Sequence, residues 1–341
     1  MLPFNKCYII SEIGVNHNGC VDTAKKMIKA SKEAGANAVK FQTFTADALV
    51  SRETPKVEYQ KLTTNKDESH FDMIKKLEFA KDDHFPLISY CKSLEIDFIS
   101  TPYDIESAKF LNQLGVDIFK TASADIVDLP LHNYLASTGK TVIVSTGMAT
   151  LGEIESVLDI YRLENNPNVV LLHCVSNYPC SFDSLNLKVI QTLKHAFGIP
   201  IGFSDHAEGV YPAVMSVALG AKVIEKHFTL DKKMNGPDHK ASSTPEEFRE
   251  LVDAIRIAEK SLGSPIKQIQ DEEIQMRLVS RKSLHMAKNV DKHCLICESD
   301  LTLKRPGTGL GSDLIHKIVG TKASRALKQG EMIALGDFFN E

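Results

Sequence analysis

No stretch of the chain approaches the roughly 18 consecutive apolar residues that a membrane-spanning helix needs, which excludes a helical membrane protein. Nor is there a long basic run, and the formal net charge is only −4. Without a clustered positive field, binding to nucleic acid or to a membrane surface is not expected. Any anionic ligand must then be held by local lysines, because the field of the whole molecule does not help. The opening MLPFNKCYIISEIG has too short an apolar run for a secretory leader and no cleavage-like segment, which points to the cytoplasm. Cysteine is scarce and odd in number: seven scattered residues, with a single C-x-x-C at Cys294 and Cys297 and no second pair. That usage fits a reducing compartment better than a disulfide framework, and ordinary buried thiols better than a zinc site. Low-complexity tracts and short repeats are missing as well.

What is present is a long alternation. The chain has 341 residues, 43% hydrophobic and 25% charged, enough for two domains or for one large α/β barrel with a small addition. CYIISEIG is a short β-rich run, and VDTAKKMIKASKEAGA follows with apolar residues at helical spacing and a closing glycine. AVKFQTF comes next, then a long insertion and the helix-like FPLISYCKSLEI. The pairing repeats through DFISTPYD and ESAKFLNQLG, DIFKTASAD and LPLHNYLAST, TVIVSTGM and LGEIESVLDIYRLE, and VVLLHCVSNYP and LKVIQTLKHAFG. It closes with PIGFSDH and VYPAVMSVALGA, then KVIEKHFTL and PEEFRELVDAIRIAEKSLG. Near-continuous apolar strands alternating with helices predict parallel strands covered on both sides. Eight such units over residues 1–262 predict a closed (β/α)8 TIM barrel. Residues 263–281 are polar after Pro265 and read as a linker, in part helical. Residues 282–341 change to short segments separated by turns, a domain of about 60 residues that is marginal alone.

In such a barrel the working groups gather at the C-terminal ends of the strands. Those ends offer Glu12, Lys40 and Gln42, Ser100 and Thr101, Lys120 and Ser123, Ser145 and Thr146, and Ser176, Asn177 and Tyr178. Strand seven adds Ser204, Asp205 and His206, and strand eight His227. A structural barrel has no need of a polar group from every strand. Strands seven and eight lie about 4.8 Å apart, so His206 and His227 can project into one space, with Glu12 across the seam. Two imidazoles there suit a divalent metal with positions left open for water or substrate; the alternative is a pair of hydrogen-bonded rim histidines. Two ligands do not choose among manganese, magnesium, zinc and cobalt.

Lys40 and Lys120 each end an apolar strand, so each is desolvated unless it has a counter-charge. With the hydroxyls of Ser123, Ser145 and Ser204 they can cradle a phosphate and a carboxylate. The alternative is a structural salt bridge with Glu12 or Glu225. A Schiff-base aldolase would also place a lysine at the mouth, but two lysines beside a metal site suit an anionic substrate better. The βα loop SEIGVNHNG carries Asn16, His17 and Asn18 at a place where barrels put working residues. In GPDH of the last loop, Asp238 either faces a ligand's hydroxyls or is a solvated loop acid. Arg305 in KRPGTGL is, on its own, a residue at a surface turn.

Taken together, SEIGVNHNG, VKFQTF, STPYD, IVSTGM, LLHC…YP, GFSDH, EKHFTLD…GPDH and KRPGTG resemble the sialic acid synthase family, which includes N-acetylneuraminate, legionaminate and pseudaminate synthases. The likeness runs over nearly the whole chain in the same order. It implies a (β/α)8 barrel followed by a small C-terminal antifreeze-like (SAF, β-clip) domain. It also implies condensation of phosphoenolpyruvate with an N-acetylmannosamine-type sugar, release of phosphate, and a divalent metal, usually Mn2+, with Mg2+ or Co2+ as alternatives. By the same resemblance His206 and His227 hold the metal, and Glu12 contacts it and the sugar. Lys40, Lys120, Ser123, Ser145 and Ser204 bind phosphoenolpyruvate, while Gln42, Tyr178 and Asp238 line the sugar pocket. Arg305 reaches the site of a partner subunit in a domain-swapped homodimer. Two positions depart from the family pattern: Asp125, where Ser-Gly-Glu is usual, and Ser176. Both bear on the sugar contacts and leave the metal and phosphate roles intact; the sequence leaves the choice between neuraminate and legionaminate open. The nearest rival is another phosphoenolpyruvate–aldose synthase; a non-catalytic glycan- or ice-binding protein is the most distant.

Overall fold

The short apolar runs form eight parallel strands that close on themselves: β1 (Tyr8–Gly14), β2 (Ala38–Thr43), β3 (Asp97–Pro102), β4 (Ile118–Thr121), β5 (Thr141–Ser145), β6 (Val169–Cys174), β7 (Ile201–Asp205) and β8 (Val223–His227), with β8 pairing back onto β1. The computed structural model describes residues 2, 4–65 and 67–339. After each strand comes a covering helix, from Val21–Glu33 behind β1 to Pro245–Leu262 behind β8. The last of these starts at a Thr244 cap whose hydroxyl accepts the Glu247 N–H, with proline in its first turn, where a missing N–H does no harm. The insertion after β2 is not featureless: it carries three short helices, Ala46–Leu49, Glu58–Thr63 and His70–Lys75.

Two apolar layers follow from strand alternation. Outward residues such as Ile9, Val39, Phe119 and Val144 pack with the helices in the larger core. Inward residues, among them Tyr8, Ile10, Ile99, Ile143 and Val223, fill the lower interior. Gly202 is glycine because a Cβ there would meet the Val223 carbonyl at 2.4 Å and a Leu172 methyl at 2.5 Å. Apolar side chains therefore fill the lower interior of the barrel, and the polar strand ends lie at its upper rim.

The chain divides into Met1–Gly263 and Ser264–Glu341. In the second unit β9 (Ser283–Met286) pairs antiparallel with β10 (Leu301–Lys304). Leu284, Met286, Ile296, Ile318, Leu327 and Ile333 form its own small core. A helix, Ile274–Ser280, precedes it, and the Leu278 carbonyl accepts the Gly307 N–H at 2.8 Å. Cys294 and Cys297, expected as buried thiols, are exposed. Cys294 follows a turn, and Ile296 takes the inward position that alternation denies to Cys297. Among the described residues no helix is long and apolar enough to cross a membrane.

Candidate active site

The inward alternation that buries Ile10, Ala38, Ile118, Ile143 and Val223 delivers, one step further along the same strands, Glu12, Lys40, Lys120, Ser145 and Glu225. Ladder register sets Glu12 opposite both Lys40 and His227, and Ser204 opposite Glu225. Lys40 Nζ lies 2.9 Å from Glu12 Oε1 and 3.6 Å from Glu225 Oε2, and donates to Thr101 Oγ1 at 3.3 Å. Lys120 Nζ donates to Ser145 Oγ at 2.5 Å and to the Thr121 carbonyl at 2.9 Å, with Glu225 Oε1 at 3.7 Å. The structural salt bridges weighed against the anion reading thus exist, and they join both lysines into one buried network through Glu225. Glu12 Oε2 has no hydrogen-bond partner. Four buried charges that stabilised only the fold would leave no such atom unsatisfied.

The network sorts its two carboxyls. Burial pushes Glu12 up, to about 7, against the pull of the Lys40 ammonium. Burial pushes Glu225 the same way, but Lys120 and Lys40 together outweigh it and hold this carboxyl below its usual range. Lys120 is lowered by burial, with Glu225 opposing, whereas Lys40 overcomes its burial through Glu12 and Glu225 and is raised. The site thus pairs a carboxyl poised near neutrality with one that stays ionised.

The imidazoles come together as the adjacent strands require, with the His206 and His227 ring centroids 5.6 Å apart. Tyr178 lies against both, 4.1 Å from His206 and 5.4 Å from His227. Burial lowers His206 to about 4 and takes His227 well below its usual value, so both rings are neutral at pH 7. A count of protons then decides the tautomer of His206. Its Nδ1 faces the Val175 carbonyl at 2.7 Å, an acceptor only, so Nδ1 carries the hydrogen. Ser204 Oγ lies 3.2 Å from His206 Nε2 and 2.8 Å from Glu225 Oε1. Its single proton goes to the carboxylate, which leaves the Nε2 lone pair open. His227 Nδ1 is buried without a partner. Two neutral imidazoles, His227 with an unpartnered buried Nδ1 and His206 with an Nε2 lone pair that meets only the Ser204 hydroxyl, fit a borderline divalent ion that keeps positions for water or substrate. Among the described residues no group of three or more His, Cys, Asp or Glu is placed to hold a metal ion.

The remaining expected residues divide. Gln42 Nε2 donates to Glu12 Oε1 at 3.3 Å, which places it at the network. Ser123 Oγ accepts the Gly147 N–H at 3.0 Å and lies 3.0 Å from Cys174 Sγ. Asp238 is buried, so it is not a solvated loop acid. Arg305 is an exposed residue of the second unit. Ser176, Asn177 and Tyr178 lie in the loop after β6, which ends at Cys174, because the chain turns away toward Cys180, paired with Ala207. The polar residues of SEIGVNHNG past Glu12 fasten loops. Asn16 Nδ2 donates to the Phe228 carbonyl and Ser242 Oγ, both at 2.9 Å, and Asn18 Nδ2 to the Asn235 carbonyl at 2.8 Å. His17 stacks on Phe79 at 3.7 Å. Asp125 Oδ2 accepts the Ala122 N–H at 3.2 Å, capping the turn that starts at Ser123.

Sequence reasoning missed the bridging position of Glu225, and Cys174 and Gly147 altogether. Glu225 stands two residues before His227, so alternation alone puts it on the same face. A Cβ at Gly147 would meet Ser176 Oγ at 2.4 Å and the Cys174 sulfur and Ser123 oxygen at 2.8 Å each, a cleft that glycine keeps narrow.

A (β/α)8 barrel whose mouth holds two buried lysines, two buried carboxyls and two neutral imidazoles has the frame of an enzyme. The chain belongs to the NeuB family, whose model matches residues 27–267. It is 44% identical to an N,N'-diacetyllegionaminic acid synthase from Legionella pneumophila, over 95% of this chain and 92% of that protein. A protein of the same name from Campylobacter jejuni is also 44% identical, over 96% of this chain and 99% of the relative. Among solved structures, the N-acetylneuraminic acid synthetase of Leptospira borgpetersenii serovar Hardjo-bovis, in complex with citrate, superposes with a TM-score of 0.71 at 35% identity. That match covers 80% of this chain and 90% of the other.

Proposed function

We propose that this enzyme condenses phosphoenolpyruvate with N-acetylmannosamine, or a close 2-acetamido-mannose derivative, and water to give a nonulosonic acid and inorganic phosphate. The observation that carries the reading is the pair of buried ammoniums, Lys40 and Lys120, tied to Glu225 beside the neutral imidazoles of His206 and His227. A second reading has its own support: two relatives at 44% identity are named N,N'-diacetyllegionaminic acid synthases, which favours 2,4-diacetamido-2,4,6-trideoxymannose as the acceptor.

His206 and His227 would hold the divalent metal, with manganese favoured over magnesium and cobalt. When bound, that ion supplies Lewis-acid polarisation of an aldehyde oxygen. Lys40, Lys120, Ser123, Ser145 and Ser204 bind the phosphate and carboxylate of phosphoenolpyruvate, with Lys40, Lys120 and Ser204 exchanging contacts with Glu12 and Glu225 for contacts with the substrate. The enolpyruvate methylene carbon attacks the open-chain sugar's carbonyl carbon, and the adjacent carbon becomes oxocarbenium-like. Glu12, near neutrality, gives its proton to the new sugar alkoxide and, as the carboxylate, takes one from the water that adds there; the resulting hemiketal phosphate then loses phosphate by C–O cleavage, its hydroxyl proton leaving with the phosphate as the ketone forms. The lysines and serines face the same charges throughout, so they serve binding and transition state together. Gln42, Tyr178 and Asp238 line the acceptor pocket.

The second unit is read as an antifreeze-like (SAF) domain, supported by its antiparallel β9–β10 pair and separate small core. In this reading Arg305 completes the sugar pocket of a partner in a domain-swapped homodimer, and the enzyme works in the cytoplasm, in keeping with seven free cysteines. Phosphate release in the presence of each acceptor tests the proposal. Rapid turnover with N-acetylmannosamine supports the first reading, rapid turnover only with the diacetamido sugar supports the second, and none with either defeats both.

A further inference from the structure

Each of the two open histidines is preceded by a charged residue that faces the other way. Asp205 precedes His206, Lys226 precedes His227, and the two stand opposite each other in the ladder. Alternation turns them away from the mouth. Their side chains, 0% and 4% exposed, meet at 2.7 Å. Nothing in the proposed reaction uses them. A buried ion pair is a weak source of stability, because apolar residues of similar volume serve a fold as well. Its position beside the imidazoles therefore asks for another account.

The hydrogen bonds supply one. Lys226 Nζ donates to Asp205 Oδ2, to the Ala207 carbonyl and to the Gly209 carbonyl, which uses all three ammonium protons. Asp205 Oδ1 accepts the Ala207 N–H at 2.9 Å. The backbone on both sides of His206 is thus tied to β8. Inside that clamp the His206 carbonyl accepts from Cys180 N–H at 2.8 Å, and the ring Nδ1 donates to the Val175 carbonyl at 2.7 Å. We infer that Lys226, together with Asp205, is a positioning residue: it fixes residues 205–209 so that His206 keeps its Nδ1–H tautomer and turns Nε2 toward the metal position. For the identity of the ligand this rests on the metal reading above; for the orientation it rests on the hydrogen bonds alone.

The test uses the full-length chain as wild type, as Lys226→Met, and as the double variant Asp205→Leu/Lys226→Met, which strands no buried charge and keeps the fold available if the single variant loses it. Mn2+ affinity is measured by titration calorimetry, and the His206 tautomer of the metal-free protein by 15N NMR of labelled histidine. The clamp predicts that the folded double variant binds Mn2+ at least about tenfold more weakly, in line with losses seen when groups supporting metal ligands are removed. It also predicts a mixture of His206 tautomers where wild type shows Nδ1–H alone. A purely structural pair would change neither readout, whatever the melting temperature of the double variant, and that result overturns the inference. If wild type binds no Mn2+, the metal reading falls by itself. The tautomer spectra still decide the clamp: a single Nδ1–H form in both proteins overturns it, and a mixture in the variant sustains it.

Discussion

Replacing Lys120 by methionine removes one ammonium from the centre of the site while keeping most of its apolar stem. The stem matters, because Lys120 is 2% exposed and a shorter residue would open a cavity in the barrel. Glu225 loses one of its two cations but keeps Lys40 at 3.6 Å, so the network survives with reduced charge. In the ligand-free enzyme the ammonium donates to Ser145 Oγ and the Thr121 carbonyl; with substrate bound it faces a phosphate or carboxylate whose charge persists through the reaction. Loss of one such preorganised donor is worth about 2–4 kcal/mol, or roughly 30- to 900-fold in kcat/KM. Steady-state phosphate release with phosphoenolpyruvate as the varied substrate measures it, and a melting curve checks that the variant is folded. Folded Lys120→Met enzyme with unchanged phosphoenolpyruvate kinetics would refute the assignment of Lys120 to the anion.

Three further outcomes follow from the same geometry. His206→Ala and His227→Ala should each weaken Mn2+ binding by at least about tenfold, and chelation should abolish a turnover that manganese restores; full activity in metal-free enzyme contradicts this. Glu12 has a folded value near 7 against an ordinary 4.5, so the native state holds that proton more tightly than the unfolded chain. Its stabilising contribution is complete below the lower value and is lost as pH rises through the higher one. Urea denaturation should therefore show wild type losing up to about 3 kcal/mol relative to Glu12→Gln across that window, and a flat difference would be the contrary result. Arg305→Ala should raise KM for the sugar but not for phosphoenolpyruvate, and mixing it with exchangeable Lys120→Met subunits should restore part of the activity. No restoration among subunits shown to exchange speaks against the swap.

The barrel was legible because each strand is a short apolar run that a helical period follows, and parallel strands buried on both faces leave that mark in composition. The rim was legible for the same reason: Lys40, Lys120 and His227 interrupt apolar runs where a core residue is otherwise expected. What alternation implies but a strand-end reading overlooks is the residue two places earlier, which is how Glu225 escaped a role. Hydrogen bonding was not legible. Asn16 and Asn18 look like working residues in SEIGVNHNG, yet their partners are carbonyls more than 200 residues away in sequence. Nor could composition show that Asp205 and Lys226 meet behind the histidines, since that depends on ladder register.

The proposed reaction makes a carbon–carbon bond from phosphoenolpyruvate with C–O rather than P–O cleavage. It is tested most directly with phosphoenolpyruvate labelled with 18O in the oxygen that bridges C2 and phosphorus, incubated with the enzyme, Mn2+ and the acceptor sugar. The expected products are a nonulosonic acid that lacks the label and one equivalent of inorganic phosphate that carries it. Label retained in the organic product, or phosphate released without any new nine-carbon acid, would contradict it.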